Sequence, residues 1–158
     1  MDSVDKEKIM LFLGTIENKI DVKGRVSVPS DFRMATKNDD FQGVILYHSF
    51  THKCIEGCTM ERMEKLSDAT DNLDLFSEEN ENLSSLIFSD ARQLAFDVTG
   101  RIVIPSDLLE FADIKGSALF VGKGKTFQIW DKDEFEKYQN ETREKAFKNR
   151  PSLSFKKD

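Results

Sequence analysis

At 158 residues, 39% of them hydrophobic, the chain is long enough to bury an ordinary core, and 29 acidic against 23 basic residues leave a net charge of −6. No apolar run reaches membrane-spanning length, Ile9–Leu13 is too short for a secretory leader and follows acidic residues, and two cysteines make no disulfide framework. A cytoplasmic protein without membrane attachment is expected.

In chain order, strands are expected at roughly 13–21 and 25–29, a short helix near 31–37, strands near 43–49 and 53–58, and a helix near 59–69. The first two strands meet at Asp21-Val22-Lys23-Gly24, where the aspartate side chain can accept backbone N–H bonds and the glycine can take the positive φ of a tight reversal. Beyond the turn, alternation places Val26 and Val28 on one face and Arg25 and Ser27 on the other, and Pro29, with no N–H to donate, ends the strand. Ser30 is the expected N-cap of the short helix, with Asp31 near the positive end of its dipole.

From Ser67 to Ser85 there are six acidic residues and no basic one, with Leu73, Leu75, Phe76 and Leu83 the apolar positions. A solvated connector, part helical, is expected; an acidic partner-binding segment is the alternative. The first pattern then returns, with strands near roughly 92–97, 101–105, 117–122 and 126–130 and helices near 107–112 and 131–147. Asp97–Leu108 repeats Asp21–Phe32 at an offset of 76, with seven of twelve positions identical, so that Asp97, Gly100 and Arg101 match Asp21, Gly24 and Arg25, and Ser106 and Asp107 match Ser30 and Asp31. Further on, Ile55, Cys58, Met63 and Leu66 correspond to Phe127, Trp130, Phe135 and Tyr138 at an offset of 72, as one inward-facing pattern requires. A long unit present only twice points to two intertwined halves sharing one core. The expected organisation is a first repeat over 10–66, an acidic linker over 67–86, a second repeat over 87–140 and a basic tail over 141–158.

Three features resemble enzyme or metal chemistry. His48, His52, Cys54 and Cys58 are zinc-ligand types, but their spacings fit no finger, and along one extended strand they lie too far apart to share an ion. Gly122-Lys123-Gly124-Lys125-Thr126 ends like a phosphate loop, yet Leu119 stands where the first glycine is needed and a strand follows, so a hairpin turn is expected. The carboxylates have no Ser/His or Cys/His nucleophile beside them, and neither catalysis nor a metal or cofactor is expected.

The paired Asp-x-x-Gly-Arg-x-x-x-Pro motifs, together with Phe12-Leu13-Gly14, Lys53-Cys54-Ile55-Glu56, Phe88-Ser89-Asp90-Ala91 and Phe127-Gln128-Ile129-Trp130-Asp131, resemble the MraZ family of bacterial transcription regulators over about residues 10–140. The resemblance implies an α+β, mainly β fold of two tandem AbrB-like (SpoVT-AbrB) swapped-hairpin units, double-split β-barrel-like, with short helices. It implies a homo-oligomeric ring, octamer or dodecamer, nucleoid-associated. Such a ring would bind double-stranded DNA at G-containing direct repeats upstream of the division and cell-wall gene cluster, with no small-molecule substrate. Carried onto this chain, the DNA contacts are Lys23 and Arg25 in the first hairpin and Arg101 in the second. Beside them Lys19 is expected on phosphate, and Arg33 is a further candidate whose alternative is an ion pair with an acidic neighbour on its helix. Asp21, Gly24, Asp97 and Gly100 shape the hairpins. Two departures stand out: Glu81–Ile87 is not basic as the family has it, and Thr99 replaces the lysine of the first motif.

Charge is unevenly spread: Glu17–Lys37 holds five basic and three acidic residues, Glu56–Glu81 two basic and nine acidic, and Arg143–Lys157 six basic and one acidic. A basic hairpin face can therefore bind a polyanion while another face stays acidic. The tail would add phosphate contacts or simply fray beyond Pro151. Arg25 is expected to matter more than Arg101, because Val103 replaces Ser27 and Lys19, Arg33 and Lys37 flank the first copy. Phe111, Phe135 and Phe147 are expected as exposed apolar helix positions favouring assembly. The alternative function is a non-enzymatic, antitoxin-like interaction module that uses the acidic face.

Overall fold

The computed structural model describes residues 10–72, 74, 76–150 and 152–155. Ile9, Leu73, Leu75 and part of the tail, including Pro151, lie outside the described residues. Eight strands and five α-helices follow one another as β1 (Thr15–Lys19), β2 (Arg25–Ser27), α1 (Ser30–Met34), β3 (Gly43–His48), β4 (Ile55–Cys58), α2 (Met60–Thr70), α3 (Glu78–Leu83), β5 (Arg92–Ala95), β6 (Arg101–Val103), α4 (Ser106–Phe111), β7 (Ser117–Gly122), β8 (Phe127–Trp130) and α5 (Lys132–Asn149) among the described residues. The expected elements are all present, with strand ends trimmed by up to two residues. The connector is part helical, as expected: α3 is capped by Ser77, whose side chain accepts from the Asn80 N–H, and runs into a π-helical turn, Ser84–Phe88.

The copies exchange strands. The six-stranded antiparallel sheet runs β1-β7-β8-β4-β3-β5, and β2 pairs with β6 in a separate ribbon. Exchanging the labels of equivalent strands reverses the order onto itself, so the sheet has a pseudo-twofold between β4 and β8. Each copy's first strand adds to the other copy's hairpin: Thr15–Lys19 pairs with Ser117–Val121, and Arg92–Ala95 with Gly43–Leu46. Neither half thus completes its sheet alone. Sheet and ribbon cover one core without closing into a barrel.

Period-two alternation divides the sheet residues between its faces. Val44, Leu46, Ile55, Ala118, Phe120, Phe127 and Ile129 pack with Val26, Val28, Ile102 and Ile104 of the ribbon and with Phe32 and Leu108 of α1 and α4. Phe12, Phe32 and Phe127 form an aromatic cluster with ring centroids 4.9–5.5 Å apart that joins the two copies. On the other face Leu119, Val121, Trp130 and Cys54 receive Phe135 and Tyr138 of α5, while Ile45 and Cys58 receive Met63 and Leu66 of α2 with Leu83 and Ile87. The 72-residue correspondence therefore holds position by position but spans two faces, since Ile55 and Phe127 enter the ribbon core while Cys58, Met63 and Leu66 and their counterparts Trp130, Phe135 and Tyr138 pack on the opposite face. Phe135 differs from its expected exposure: it is 7% exposed because it seats α5 against Trp130.

The caps of α1 and α4 also differ. Pro29 and Pro105 occupy the cap position without a side-chain cap bond, their carbonyls accepting from Arg33 N–H (2.9 Å) and Leu108 N–H (3.1 Å). Ser30 and Ser106 lie one residue inside, where their hydroxyls have no cap role. Asp31 and Asp107 do occupy the first turns.

Candidate nucleic-acid interface

The two hairpin turns share one set of bonds. Asp21 N–H donates to the Arg25 carbonyl (3.0 Å) and Gly24 N–H to the Asp21 carbonyl (3.0 Å), while Asp21 Oδ1 accepts from the Lys23 and Arg25 N–H groups, both at 2.9 Å. In the second copy Asp97 N–H donates to Arg101 (2.9 Å), Gly100 N–H to Asp97 (3.0 Å), and Asp97 Oδ1 accepts from Thr99 and Arg101 N–H, both at 2.9 Å, and from the Thr99 hydroxyl (2.8 Å). The aspartates and glycines therefore do shape the turns, at φ +88° for Gly24 and +82° for Gly100. The Arg25 backbone N–H and side chain hold the Asp21 carboxyl below its usual range, and the Arg101 backbone N–H leads the same effect on Asp97.

The turns also interlock. Ile104 N–H donates to the Gly24 carbonyl (2.8 Å) and Val28 N–H to that of Gly100 (3.1 Å). Across the ribbon Arg25 stands opposite Val103 and Ser27 opposite Arg101, so both arginines face outward while Val26, Val28, Ile102 and Ile104 face the core at 1% exposure. Each guanidinium is held through Nε by its own turn aspartate, Arg25 to Asp21 Oδ2 at 2.7 Å and Arg101 to Asp97 Oδ2 at 3.0 Å. Such solvent-screened surface ion pairs add little to stability; their consequence is orientation. A guanidinium fixed at Nε presents both Nη groups as a fork, the donor geometry that suits guanine O6 and N7.

Lys23 is exposed at the first tip and Lys19 at the end of β1. Arg33 belongs in space to the second hairpin, because its guanidinium lies over Gly100; it pairs with no acidic neighbour on its helix among the described residues, and its buried Nε has no hydrogen-bond partner there. Val103, which stands where the first copy has Ser27, is 53% exposed on the outer face. Both findings reduce the expected inequality of the hairpins, leaving Lys23 against Thr99 as its main basis. Sequence reasoning missed Val22 and Val98, fully exposed beside the basic groups of both tips. Their identity in the two repeats was the available signal.

The zinc-like residues disperse. His48 Nδ1 pairs with Asp90 (2.8 Å) and its ring meets Phe111 edge-on, His52 lies against Trp130 and Tyr138, and Cys54 and Cys58 enter different apolar clusters. Burial pushes both thiols up to about 12, so each stays protonated at neutral pH. Among the described residues no three His, Cys, Asp or Glu side chains converge on a metal position. Gly122–Thr126 is the β7–β8 turn, closed by Lys123 N–H to the Thr126 carbonyl (2.9 Å) with Gly124 at φ +89°. No helix among the described residues is long and apolar enough to cross a membrane.

Exchanged hairpins over a shared core, with a paired-arginine ribbon on the outside, define a duplicated swapped-hairpin protein. The family model "MraZ protein, putative antitoxin-like" matches residues 87–157. The chain is 48% identical over 147 residues to the transcriptional regulator MraZ of Pelagibacter ubique (strain HTCC1062), covering 93% of this chain and 95% of that one. It is 42% identical over 143 residues to those of Rickettsia canadensis (strain McKiel) and Rickettsia typhi (strain ATCC VR-144 / Wilmington), each covering 90% of this chain and 96% of the other. The chain belongs to the MraZ family of transcriptional regulators.

Proposed function

We propose that the chain binds double-stranded DNA sequence-specifically through the β2–β6 ribbon, with Arg25 and Arg101 reading guanine edges and Lys23, Lys19 and Arg33 engaging phosphates. The observation that carries this reading is the pair of outward guanidinium groups, each fixed by its turn aspartate on a two-stranded ribbon. A two-stranded ribbon fits the major groove. The chain acts as a homo-oligomeric ring of eight or twelve copies on direct repeats upstream of the division and cell-wall gene cluster, in the cytoplasm and on the nucleoid, without catalysis. Several hairpins on one ring raise the effective concentration of each next contact, so modest single contacts sum to a tight complex.

The test is binding of the purified protein to DNA from upstream of its own gene. Affinity should exceed that for scrambled DNA by about 10³-fold or more and fall linearly on a log scale with salt. Equal affinity for both sequences would refute specific recognition. Failure of DNA binding together with capture of a protein partner through residues 67–85 would favour the antitoxin-like interaction module instead.

A further inference from the structure

We infer that the basic, apolar end of α5 docks on the acidic α2–α3 segment of a second copy of this chain, forming the head-to-tail contact through which copies assemble. The inference rests on the homo-oligomer reading and names the two surfaces that meet. Residues 141–150 are exposed throughout, with Arg143, Lys145, Lys148 and Arg150 against Glu141 and Glu144. Phe147 is 75% exposed and, with Arg143, Ala146 and Arg150, lines a shallow groove; Leu153 and Phe155 beyond it are exposed too. Charge alone keeps a helix end soluble, so large apolar side chains carried into water there mark a surface that becomes covered.

The complementary surface lies on the same chain. Glu64 and Asp68 of α2 and Asp71, Asp74, Glu78, Glu79 and Glu81 beyond it are exposed, and Phe76 stands among them, 91% exposed. The helices α2 and α5 are equivalent elements of the two copies, starting at Met60 and Lys132. The pseudo-twofold therefore places an acidic surface on one half of the protomer and a basic one on the other. Among the described residues no ion pair joins them within the chain. Opposite surfaces on one protomer suit a heterologous contact, which repeats from copy to copy and closes into a ring when the rotation allows.

DNA is the weaker occupant for the helix end. Both α2 and α5 pack on the sheet face opposite the arginine ribbon, as the alternation of Ala118 and Phe120 toward the ribbon and Leu119 and Val121 toward α5 establishes. Phosphate binding would also leave Phe147 without a role.

The test uses the full chain with two sets of surface reversals: Arg143→Glu with Lys145→Glu, Lys148→Glu and Arg150→Glu, and separately Glu78→Lys with Glu79→Lys and Glu81→Lys. By light scattering each variant should fall from the wild-type mass toward the 18.1 kDa of one chain, while its far-ultraviolet circular dichroism stays that of the folded chain and its melting temperature falls only by what the lost association supplied. Mixing them should restore the mass, because each then offers the surface the other lacks. Wild-type protein should lose mass as salt rises from about 0.01 to about 1 M, over which the screening length falls from ~30 to ~3 Å. Variants that keep the wild-type mass, or lose it without recovery on mixing, would overturn the docking surfaces while leaving the oligomer reading intact. A wild-type monomer would overturn both. Full mass with weakened DNA binding in the α5 variant would assign the helix end to phosphate and refute the inference.

Discussion

Gly24 and Gly100 hold the same place in the two hairpins and face different neighbours. A Cβ on Gly24 would stand 2.6 Å from the Ile104 carbonyl oxygen, part of a backbone tied to Gly24 by its own hydrogen bond. A Cβ on Gly100 would meet the Arg33 guanidinium, the far end of a side chain that can move. Alanine at either position must hold a left-handed φ at a cost of about 1–2 kcal/mol, and only Gly24→Ala must also displace backbone, adding about 1–3 kcal/mol. Denaturant titration of the two variants should rank Gly24→Ala as clearly the less stable; equal losses would contradict the interlocked turns. The carboxylates supply a pH dependence at the same scale. Hydrogen bonds from Arg92, helped by its charge, hold Asp107 at about 2 against the opposing effect of burial, and Asp21 and Asp97 are lowered by the N–H groups of their turns. With folded values below the unfolded value of about 3.9, their stabilisation is complete above that pH and is lost as pH falls toward about 2, because the unfolded chain takes up the protons first. The melting temperature of the wild type should fall over that window. Asp107→Asn should fall less steeply, and an identical slope would remove Asp107 from the explanation.

At the scale of elements, the ribbon sets both arginines in equivalent bonds, so Arg25→Ala and Arg101→Ala should cost similar stability. Their effects on DNA should differ, because Lys23 at the first tip has only Thr99 as its counterpart. Arg25→Ala should lose specific binding, at about 1–3 kcal/mol per engaged hairpin, Arg101→Ala should lose less, and Lys23→Thr should weaken all sequences alike and reduce the salt slope by about 1. Competition binding by well-folded, correctly assembled variants checks this: equal loss from both arginine variants would end the asymmetry, and retained binding by Arg25→Ala would end the mechanism. Much of the ribbon was legible beforehand, since Asp21, Gly24 and Arg25 recur in Asp97, Gly100 and Arg101 and each has a local turn role. The less legible features are those made by exchange. Arg33 follows the first hairpin in sequence but lies over Gly100 of the second, and His48, Asp90, Arg92 and Asp107 form a polar cluster from three separate segments. Local patterning carries no trace of either. Ser30 and Ser106 were misleading for a simpler reason: the preceding prolines, which suit the entry to a helix, take the cap position themselves. The connector was expected to be part helical, but the bounds of Glu78–Leu83 were not legible because five of its six residues are charged or amide side chains before any apolar stripe appears, although Ser77 was a cap in plain view.

For the whole molecule, duplication suggests two domains and strand exchange denies them independence. Pairing of β1 with β7 and of β5 with β3 means that unfolding either copy strips an edge strand from the other, and Phe12, Phe32 and Phe127 draw the central cluster from both. A chain of two independent repeats would melt in two steps, with a core substitution lowering only its own step. Here one cooperative transition is expected by calorimetry, with calorimetric and van't Hoff enthalpies in agreement at matched protein concentration. Ile55 and Ile129 face each other across β4 and β8 at the pseudo-twofold, both fully buried. Ile55→Ala and Ile129→Ala should therefore each cost about 2–5 kcal/mol and lower the same single transition. Because the two side chains share neighbours, the double substitution should depart from the sum of the single ones by more than about 0.5 kcal/mol. Two resolved transitions, with each substitution moving only one, would show that the repeats fold separately and that the exchanged edge strands add little to their cohesion.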